Sequence, residues 1–472
     1  MPSATPVPRL RFLEKLGYGL GDTASNFFFQ TFNLFLLYYY TDIFGLGAAA
    51  VGTMFLFTRV LDAVTDPTMG LIADRTRSRF GKFRPYLLWM AVPYGIFGYL
   101  MFANPALSPT GKLVYAYVTY SAMMLAYTAI NIPYGALMGV MSPSTVDRTS
   151  LSTYRFVCAF TGGLLISSLV TPLKNALGGA DEADGFRWTM AIFAVASIGL
   201  FLFCFATTRE RVVVRDEGRT DLRHDLRLLL RNRAWLALGF AALFTLTNVA
   251  VRNGVIVYYL KYYVQVDGQR VFLFFDHISL FMTTGALAMI VGVALTPFVA
   301  KRWDKRRLMI VLSTLNALAM ATFFFLRPDQ IVAMHVINVI ATLFAGPTPA
   351  LVWAMYADTA DYGEWKYRRR TTALIFSAAQ FAQKMGLALG VAIAGWVLGA
   401  VGFVANVGQT EETMTAIRLL FSIAPAVFGL LNVVALVCYP LDDRTVKQIE
   451  QELAVRRAQN PPTPLAGAGA AG

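Results

Sequence analysis

Runs of about 20 apolar residues recur along the whole chain, broken by short polar stretches. As helices rising 1.5 Å per residue, such runs are long enough to cross a hydrocarbon layer roughly 30 Å thick. The pattern predicts helices over 17–42, 48–73, 84–104, 112–139, 153–175, 187–208, 234–263, 277–300, 307–327, 330–357, 371–402 and 413–440. Helices buried in a soluble core would be shorter and interrupted by charge more often. Twelve spans predict an all-α polytopic membrane protein, and an even number places both ends of the chain on one side. The longest stretch between spans, 209–233, divides them six and six. The organisation then reads as a tail (1–16), a six-helix bundle (17–208), a connecting loop (209–233), a second six-helix bundle (234–440) and a second tail (441–472). From Asn460 that tail is rich in Pro, Ala and Gly and is expected to be disordered. The start is polar and the first apolar run is too long for the core of a cleavable leader, so no signal peptide is expected.

The polar stretches repeat in the two halves. The basic loop Arg75 to Arg84 has a counterpart at Lys301-Arg-Trp-Asp-Lys-Arg-Arg307, and Asp147-Arg-Thr-Ser has one at Arg370-Thr-Thr. Basic loops at equivalent places are what an internally duplicated transporter would show. Within the connecting loop, Asp221-Leu-Arg-His-Asp-Leu-Arg-Leu-Leu-Leu-Arg has leucines and arginines at helical spacing. That fits an amphipathic helix on the inner membrane surface, or equally a solvated linker helix.

Composition agrees with the span pattern: 56% of the 472 residues are hydrophobic and 15% are charged, against about 25% charged in soluble domains. Most of the 41 Lys and Arg fall in alternate loops and in the tails, which places both ends in the cytoplasm. The same bias accounts for the net charge of +13, which is spread over separate loops and implies no nucleic-acid partner. No obligate protein partner is evident. Cys158, Cys204 and Cys438 lie in apolar spans without metal-ligand spacing and read as packing residues. His224, His277 and His335 are scattered. No phosphate-cradling loop or activated nucleophile is present, so neither enzyme chemistry nor a cofactor is expected.

Ionisable residues inside the spans are few, and each is a candidate functional residue because a charge at mid-membrane costs about 2.5–3.5 kcal/mol on insertion scales. Asp62 and Asp66 are one helical turn apart and share a face. Two close carboxylates repel, so they persist where a cation or a proton neutralises them. Thr65 offers a further oxygen, Arg59 one turn earlier offsets part of the charge, and Pro67 frees backbone carbonyls. Asp22 lies in a glycine-rich stretch, Tyr18-Gly-Leu-Gly-Asp22, beside Ser25 and Asn26. Arg252 stands in the seventh span and can pair with Asp22 or Asp62, or donate to a solute. Lys384, one turn after Gln380, needs a carboxylate, and the Asp62/Asp66 pair is the obvious one. Asn131 adds an amide suited to hydroxyls. Asp74, Asp358, Asp361, Glu364 and Arg370 form mixed-charge clusters suited to closing the inner side.

In the stretches Tyr18–Asp22, Tyr38-Tyr-Tyr-Thr-Asp42, Arg59–Pro85, Asn131-Ile-Pro-Tyr-Gly135 and Asp358-Thr-Ala-Asp361-Tyr-Gly-Glu364, the chain resembles the glycoside–pentoside–hexuronide:cation symporters. These are the melibiose-permease branch of the major facilitator superfamily. The resemblance covers roughly residues 12–440 and implies a twelve-helix, two-bundle carrier in a bacterial plasma membrane. It would move a sugar or glycoside with Na⁺ or H⁺ by alternating access. By the same resemblance the cation is held at Asp62 and Asp66 with Thr65 and Thr128. Thr65 stands where melibiose permease has an asparagine that aids sodium selection, so the choice between Na⁺ and H⁺ stays open. The sugar positions correspond to Asn26 and Asn131 in place of aspartates, Ser25 in place of a lysine and Gly135 in place of a tryptophan, while Arg155 and Lys384 keep basic residues. Melibiose is thus disfavoured; the Asp22 and Asn131–Gly135 stretches look more like glucuronide- and xyloside-transporting members. A sodium-coupled lysophospholipid carrier is the alternative within the wider superfamily.

Overall fold

The computed structural model describes residues 10–142, 144–179, 181–212, 222–266, 270–368 and 372–459. The expected disorder from Asn460 and the expected gating role of Arg370 both lie outside the described residues. In chain order the helices are α1 (Phe12–Thr31), α2 (Ala48–Arg75), α3 (Arg84–Leu100), α4 (Pro109–Met141), α5 (Thr145–Gly178), α6 (Glu182–Thr207), α7 (Leu222–Arg231) and α8 (Arg233–Tyr258). They continue with α9 (His277–Ala300), α10 (Lys305–Thr322), α11 (Ile331–Ala345), α12 (Thr348–Tyr367), α13 (Thr372–Ala400), α14 (Glu411–Phe421), α15 (Ile423–Val437) and α16 (Asp443–Gln459). Among the described residues ten segments are long and apolar enough to cross a membrane, counting α11 with α12 and α14 with α15 as one each. The fold is an all-α polytopic membrane architecture. A two-stranded hairpin, Arg270–Phe272 with Phe275–Asp276, interrupts it between α8 and α9, where the apolar pattern predicts no strand.

Two helices run on beyond their α-helical ends as π-helix. The first predicted span begins earlier than expected, at Phe12, and continues past Thr31 through π turns at Phe32–Leu36 and Tyr39–Ile43. α8 continues through a π turn at Tyr259–Tyr263. Both endings are tyrosine-rich, so the two halves echo each other in backbone as well as in loop charge. The far face below is the side carrying these π ends; the near face carries the starts of α1 and α8.

Small residues set how closely the helices approach. A Cβ on Gly19 would lie 2.9 Å from the Tyr154 carbonyl oxygen, so α1 seats directly on α5. A Cβ on Gly395 of α13 would lie 2.5 Å from the Ala48 carbonyl oxygen, and one on Gly52 of α2 would lie 2.9 Å from that of Ala392. α13 therefore packs backbone to backbone against α2 while its other side packs on α8. Small residues at such contacts are the usual solution in lipid, where no hydrophobic force drives helices together. The near-face loops are pinned by capping. The Glu210 carboxylate accepts the backbone N–H groups of Lys82, Phe83 and Arg84 at 2.7–2.9 Å, which satisfies the start of α3. Leu229 of α7 is buried against the second half while Leu230 and Arg231 are exposed, an amphipathic arrangement. Cys158 and Cys204 are buried as expected, but Cys438 is exposed, because it follows the last turn of α15.

Candidate functional site

The interior of α2 holds the two aspartates. Asp62 is 2% exposed and accepts a hydrogen bond from Arg59 Nη1 at 2.6 Å. Asp66 has a different pair of partners: Thr128 Oγ1 of α4 donates to its Oδ1 at 2.8 Å, and Lys384 of α13 forms an ion pair with its Oδ2. The predicted link between Lys384 and the aspartates is therefore made, and it joins the two halves. Thr65, between the aspartates, has a buried hydroxyl with no hydrogen-bond partner among the described residues. Pro67 carries no N–H, which leaves the Ala63 carbonyl without its helical donor. Two carboxylates, two threonine hydroxyls and a freed carbonyl supply hard oxygens of the kind that small cations accept.

A second cluster ties α1, α4 and α5 together. Arg155 Nε donates to Asp22 Oδ2 at 3.0 Å, and its guanidinium lies 5.3 Å from the ring centroid of Tyr134. Ser25 Oγ donates to Asn131 Oδ1 at 2.7 Å, Asn131 Nδ2 donates to the Tyr127 carbonyl at 3.1 Å, and Asn26 Nδ2 donates to the Asp22 carbonyl at 2.9 Å. Tyr94 OH donates to the Ser25 carbonyl at 3.0 Å. Asp22, Asn26, Asn131 and Arg155 are thus brought together. Gln380 is exposed on α13, one turn before Lys384, apart from this cluster's hydrogen bonds.

Arg252 departs from expectation. It pairs with neither Asp22 nor Asp62. Its Nη2 donates to Asn338 Oδ1 of α11 at 2.6 Å, and its guanidinium lies 5.0 Å from the ring centroid of Phe421 and 5.7 Å from that of Phe323. Asn338 is held in turn by donating to the Phe281 carbonyl at 2.8 Å. Arg252 and Asn338 line a cavity of about 290 Å³ between the halves, together with Phe29, Gln30, Asn33 and Asn253. Gln30 and Asn33 do not appear among the sequence candidates, though with Asn26 they form a polar stripe at positions i, i+4 and i+7 of the first span, a signal readable in the pattern.

Asp358 pairs with Lys305 at 2.5 Å, and Asp74 with Lys82 at 2.9 Å, so these near-face pairs tie neighbours within one half rather than closing one half against the other. Asp361 and Glu364 lie on the same helix, α12. The far face is sealed across the halves instead. Asp42 receives Lys261 Nζ at 3.2 Å and a short hydrogen bond from Tyr262 OH. Lys261 also donates to Tyr38 OH at 2.9 Å and to Asn406 Oδ1 at 2.7 Å, and Asn406 Nδ2 donates to the Asp42 carbonyl at 2.7 Å. Thr41 and Tyr258 hydroxyls meet at 2.6 Å, and Asn175 Nδ2 donates to Asp276 Oδ2 at 3.1 Å. Nothing in the pattern of apolar runs marks this network, because its members lie at the ends of different spans.

The profile of the family described as MFS/sugar transport protein matches residues 17–443. The chain belongs to the glycoside–pentoside–hexuronide:cation symporters of the major facilitator superfamily. It is 39% identical over 444 residues to the inner membrane symporter YicJ of Escherichia coli, covering 93% of this chain and 94% of that one. It is 37% identical over 457 residues to the putative glycoside/cation symporter YagG of the same organism, covering 96% and 97%. Among solved structures, the nucleoside transporter NupG superposes with a TM-score of 0.62 at 13% identity, covering 91% of this chain and all of that one, a likeness of fold. The symporter is thus a multi-pass secondary transporter of a sugar- or glycoside-type solute coupled to a monovalent cation, and not an enzyme.

Proposed function

We propose that the symporter has twelve transmembrane helices in two six-helix bundles, sits in a bacterial inner membrane with both ends cytoplasmic, and moves its glycoside inward by alternating access. The coupling cation binds between Asp62 and Asp66 with Thr65 and Thr128 as further oxygen ligands. The observation that carries this reading is the ion pair between Lys384 and Asp66 beside the Thr65 hydroxyl, which has no partner among the described residues. Lys384 neutralises Asp66 while no cation is bound. An arriving Na⁺ or H⁺ takes over that role and releases the ammonium from α2. Since Lys384 belongs to the second half and Asp66 to the first, cation binding alters a contact between the halves, which is the contact alternating access has to remake.

The solute binds between the halves at the central cavity and the adjoining cluster of Asp22, Asn26, Asn131 and Arg155. Asparagine amides donate and accept at once, which suits sugar hydroxyls. The cavity volume of about 290 Å³ is just below the roughly 300–1,000 Å³ usual for ligand pockets, which supports a compact glycoside over a lysolipid. Leu387, one turn after Lys384 on α13, lines the cavity, so release of Lys384 by the cation is felt at the solute, and each ligand then raises the affinity of the other by the same factor.

The test is uptake of glycosides into proteoliposomes under an imposed Na⁺ or H⁺ gradient, with Asp66→Asn alongside. The variant is expected to lose gradient-driven accumulation while keeping solute exchange between the two sides. Uphill accumulation at the wild-type level by Asp66→Asn would refute the assignment of the cation site.

A further inference from the structure

We infer that the solute carries a carboxylate, as a glycoside of a uronic acid does, and that Arg252 is the residue that selects it. The inference rests on the reading of the chain as a glycoside symporter and concerns which glycosides it prefers.

Arg252 is 7% exposed, and its Nε has no hydrogen-bond partner among the described residues. The other interior cations each hold a carboxylate: Arg59 holds Asp62, Arg155 holds Asp22, and Lys384 holds Asp66. Among the described residues Arg252 holds only the Asn338 amide oxygen and the faces of two phenylalanine rings. A guanidinium removed from water normally needs an anion, since its desolvation costs several kcal/mol. A neutral amide and ring faces supply part of that and leave a full positive charge uncompensated.

The uncompensated charge also faces the right place. Arg252 lines the central cavity, across which Gln30 and Asn33 of the first half present amides. Gln30 and Asn33 continue the stripe that begins at Asn26, beside the Asp22–Arg155 pair. A sugar lying along that stripe meets hydroxyl-binding groups on one half and a guanidinium without a carboxylate on the other. A carboxylate on the ring would compensate Arg252 through charge-assisted hydrogen bonds, which are stronger than neutral ones and geometrically matched to the planar fork. Asn338 fixes Nη2 by accepting from it, so Arg252 is oriented before the solute arrives. A neutral glycoside would leave the guanidinium as it is.

The experiment measures binding to purified wild-type symporter, by thermal shift or calorimetry in Na⁺ and at mildly acidic pH, of 4-nitrophenyl β-D-glucuronide, its methyl ester and 4-nitrophenyl β-D-glucoside. The glucuronide is expected to bind about tenfold or more tightly than either neutral probe, equivalent to about 1.4 kcal/mol. Arg252→Gln is expected to abolish that preference while still binding the neutral probes, and Arg252→Lys to restore part of it. Neutral glycosides binding as tightly as the glucuronide to the wild type would overturn this inference and leave the symporter reading standing. A preference unchanged in Arg252→Gln would overturn the role of Arg252. Binding of none of the three probes would overturn both the inference and the glycoside reading beneath it. Should Arg252→Gln fail to fold, the wild-type comparison of acid with methyl ester still decides the first point.

Discussion

Replacing Asp42 by asparagine should open the far face. The Asp42 side chain is buried, whereas the Lys261 side chain is 27% exposed and keeps Tyr38 and Asn406 as partners when the carboxylate is neutralised. Two unit charges 3.2 Å apart attract by about 5 kcal/mol at an effective dielectric of 20. Hydration of the half-open Lys261 and its surviving hydrogen bonds offset part of this, leaving a loss of about 2–3 kcal/mol. Because the pair spans the two halves, that loss falls on the sealed conformation alone and shifts the balance between conformers by roughly 30–150-fold. The assay is a distance measurement across the far face. Spin labels go on Leu107→Cys in the first half and Val407→Cys in the second, both exposed loop positions, in a background with the exposed Cys438 replaced by serine. Asp42→Asn is expected to move the distance distribution toward longer values without added solute. An unchanged distribution, with the protein folded, would refute the reasoning that this network holds the far face shut.

Thr65→Val should lower the affinity for the coupling cation roughly tenfold, read as a smaller cation-dependent shift in unfolding temperature, while leaving the cation-free protein equally or more stable. A buried hydroxyl without a partner costs about 1–3 kcal/mol, so a loss of stability in the absence of cation would point to a structural role instead. Gly395→Val places a side chain against the Ala48 carbonyl of α2 and should cost about 1–3 kcal/mol by overpacking, read as a lower unfolding temperature and slower transport. Near-normal transport would show that α2 and α13 can part freely. Glu452, outside the spans, is held below the usual glutamate value by the hydrogen bond it accepts from Trp365 Nε1 at 2.6 Å. A lowered carboxylate contributes stability above its unfolded value and loses it as pH falls through its folded value. Acidification below about pH 4 should therefore free the α16 contact and change Trp365 fluorescence, and Glu452→Gln should remove that step.

How much of this the sequence discloses depends on whether a property is local. Apolar runs are local, so an all-α polytopic architecture is readable residue by residue. The Asp62/Asp66 pair is readable because both aspartates sit on one helix at one-turn spacing, and Lys384 because a buried ammonium needs a carboxylate and few are on offer. Arg252 obeyed no such rule. Its partners, Asn338, Phe323 and Phe421, come from three later elements, and an uncompensated guanidinium is the opposite of what a charge-pairing argument expects. The far-face network was hidden for a related reason: Asp42, Lys261 and Asn406 are ordinary loop-end residues until two helix ends, both wound as π-helix, bring them together. Asp74 and Asp358 pair with Lys82 and Lys305 of the basic stretches 75–84 and 301–307, each within its own half.

The Lys384–Asp66 pair also has an electrical consequence. With no cation bound, Arg59, Asp62, Asp66 and Lys384 carry two positive and two negative charges, and the site as a whole is neutral. If the coupling ion binds here as proposed, one monovalent ion taken up without loss of a proton makes the site positive by one. Reorientation of the empty protein then moves no net charge at this site, whereas reorientation of the loaded protein moves one, worth about 2.3 kcal/mol per 100 mV when it crosses the full field. An inside-negative membrane potential would thus accelerate the inward limb of the cycle and leave the return limb nearly insensitive to voltage.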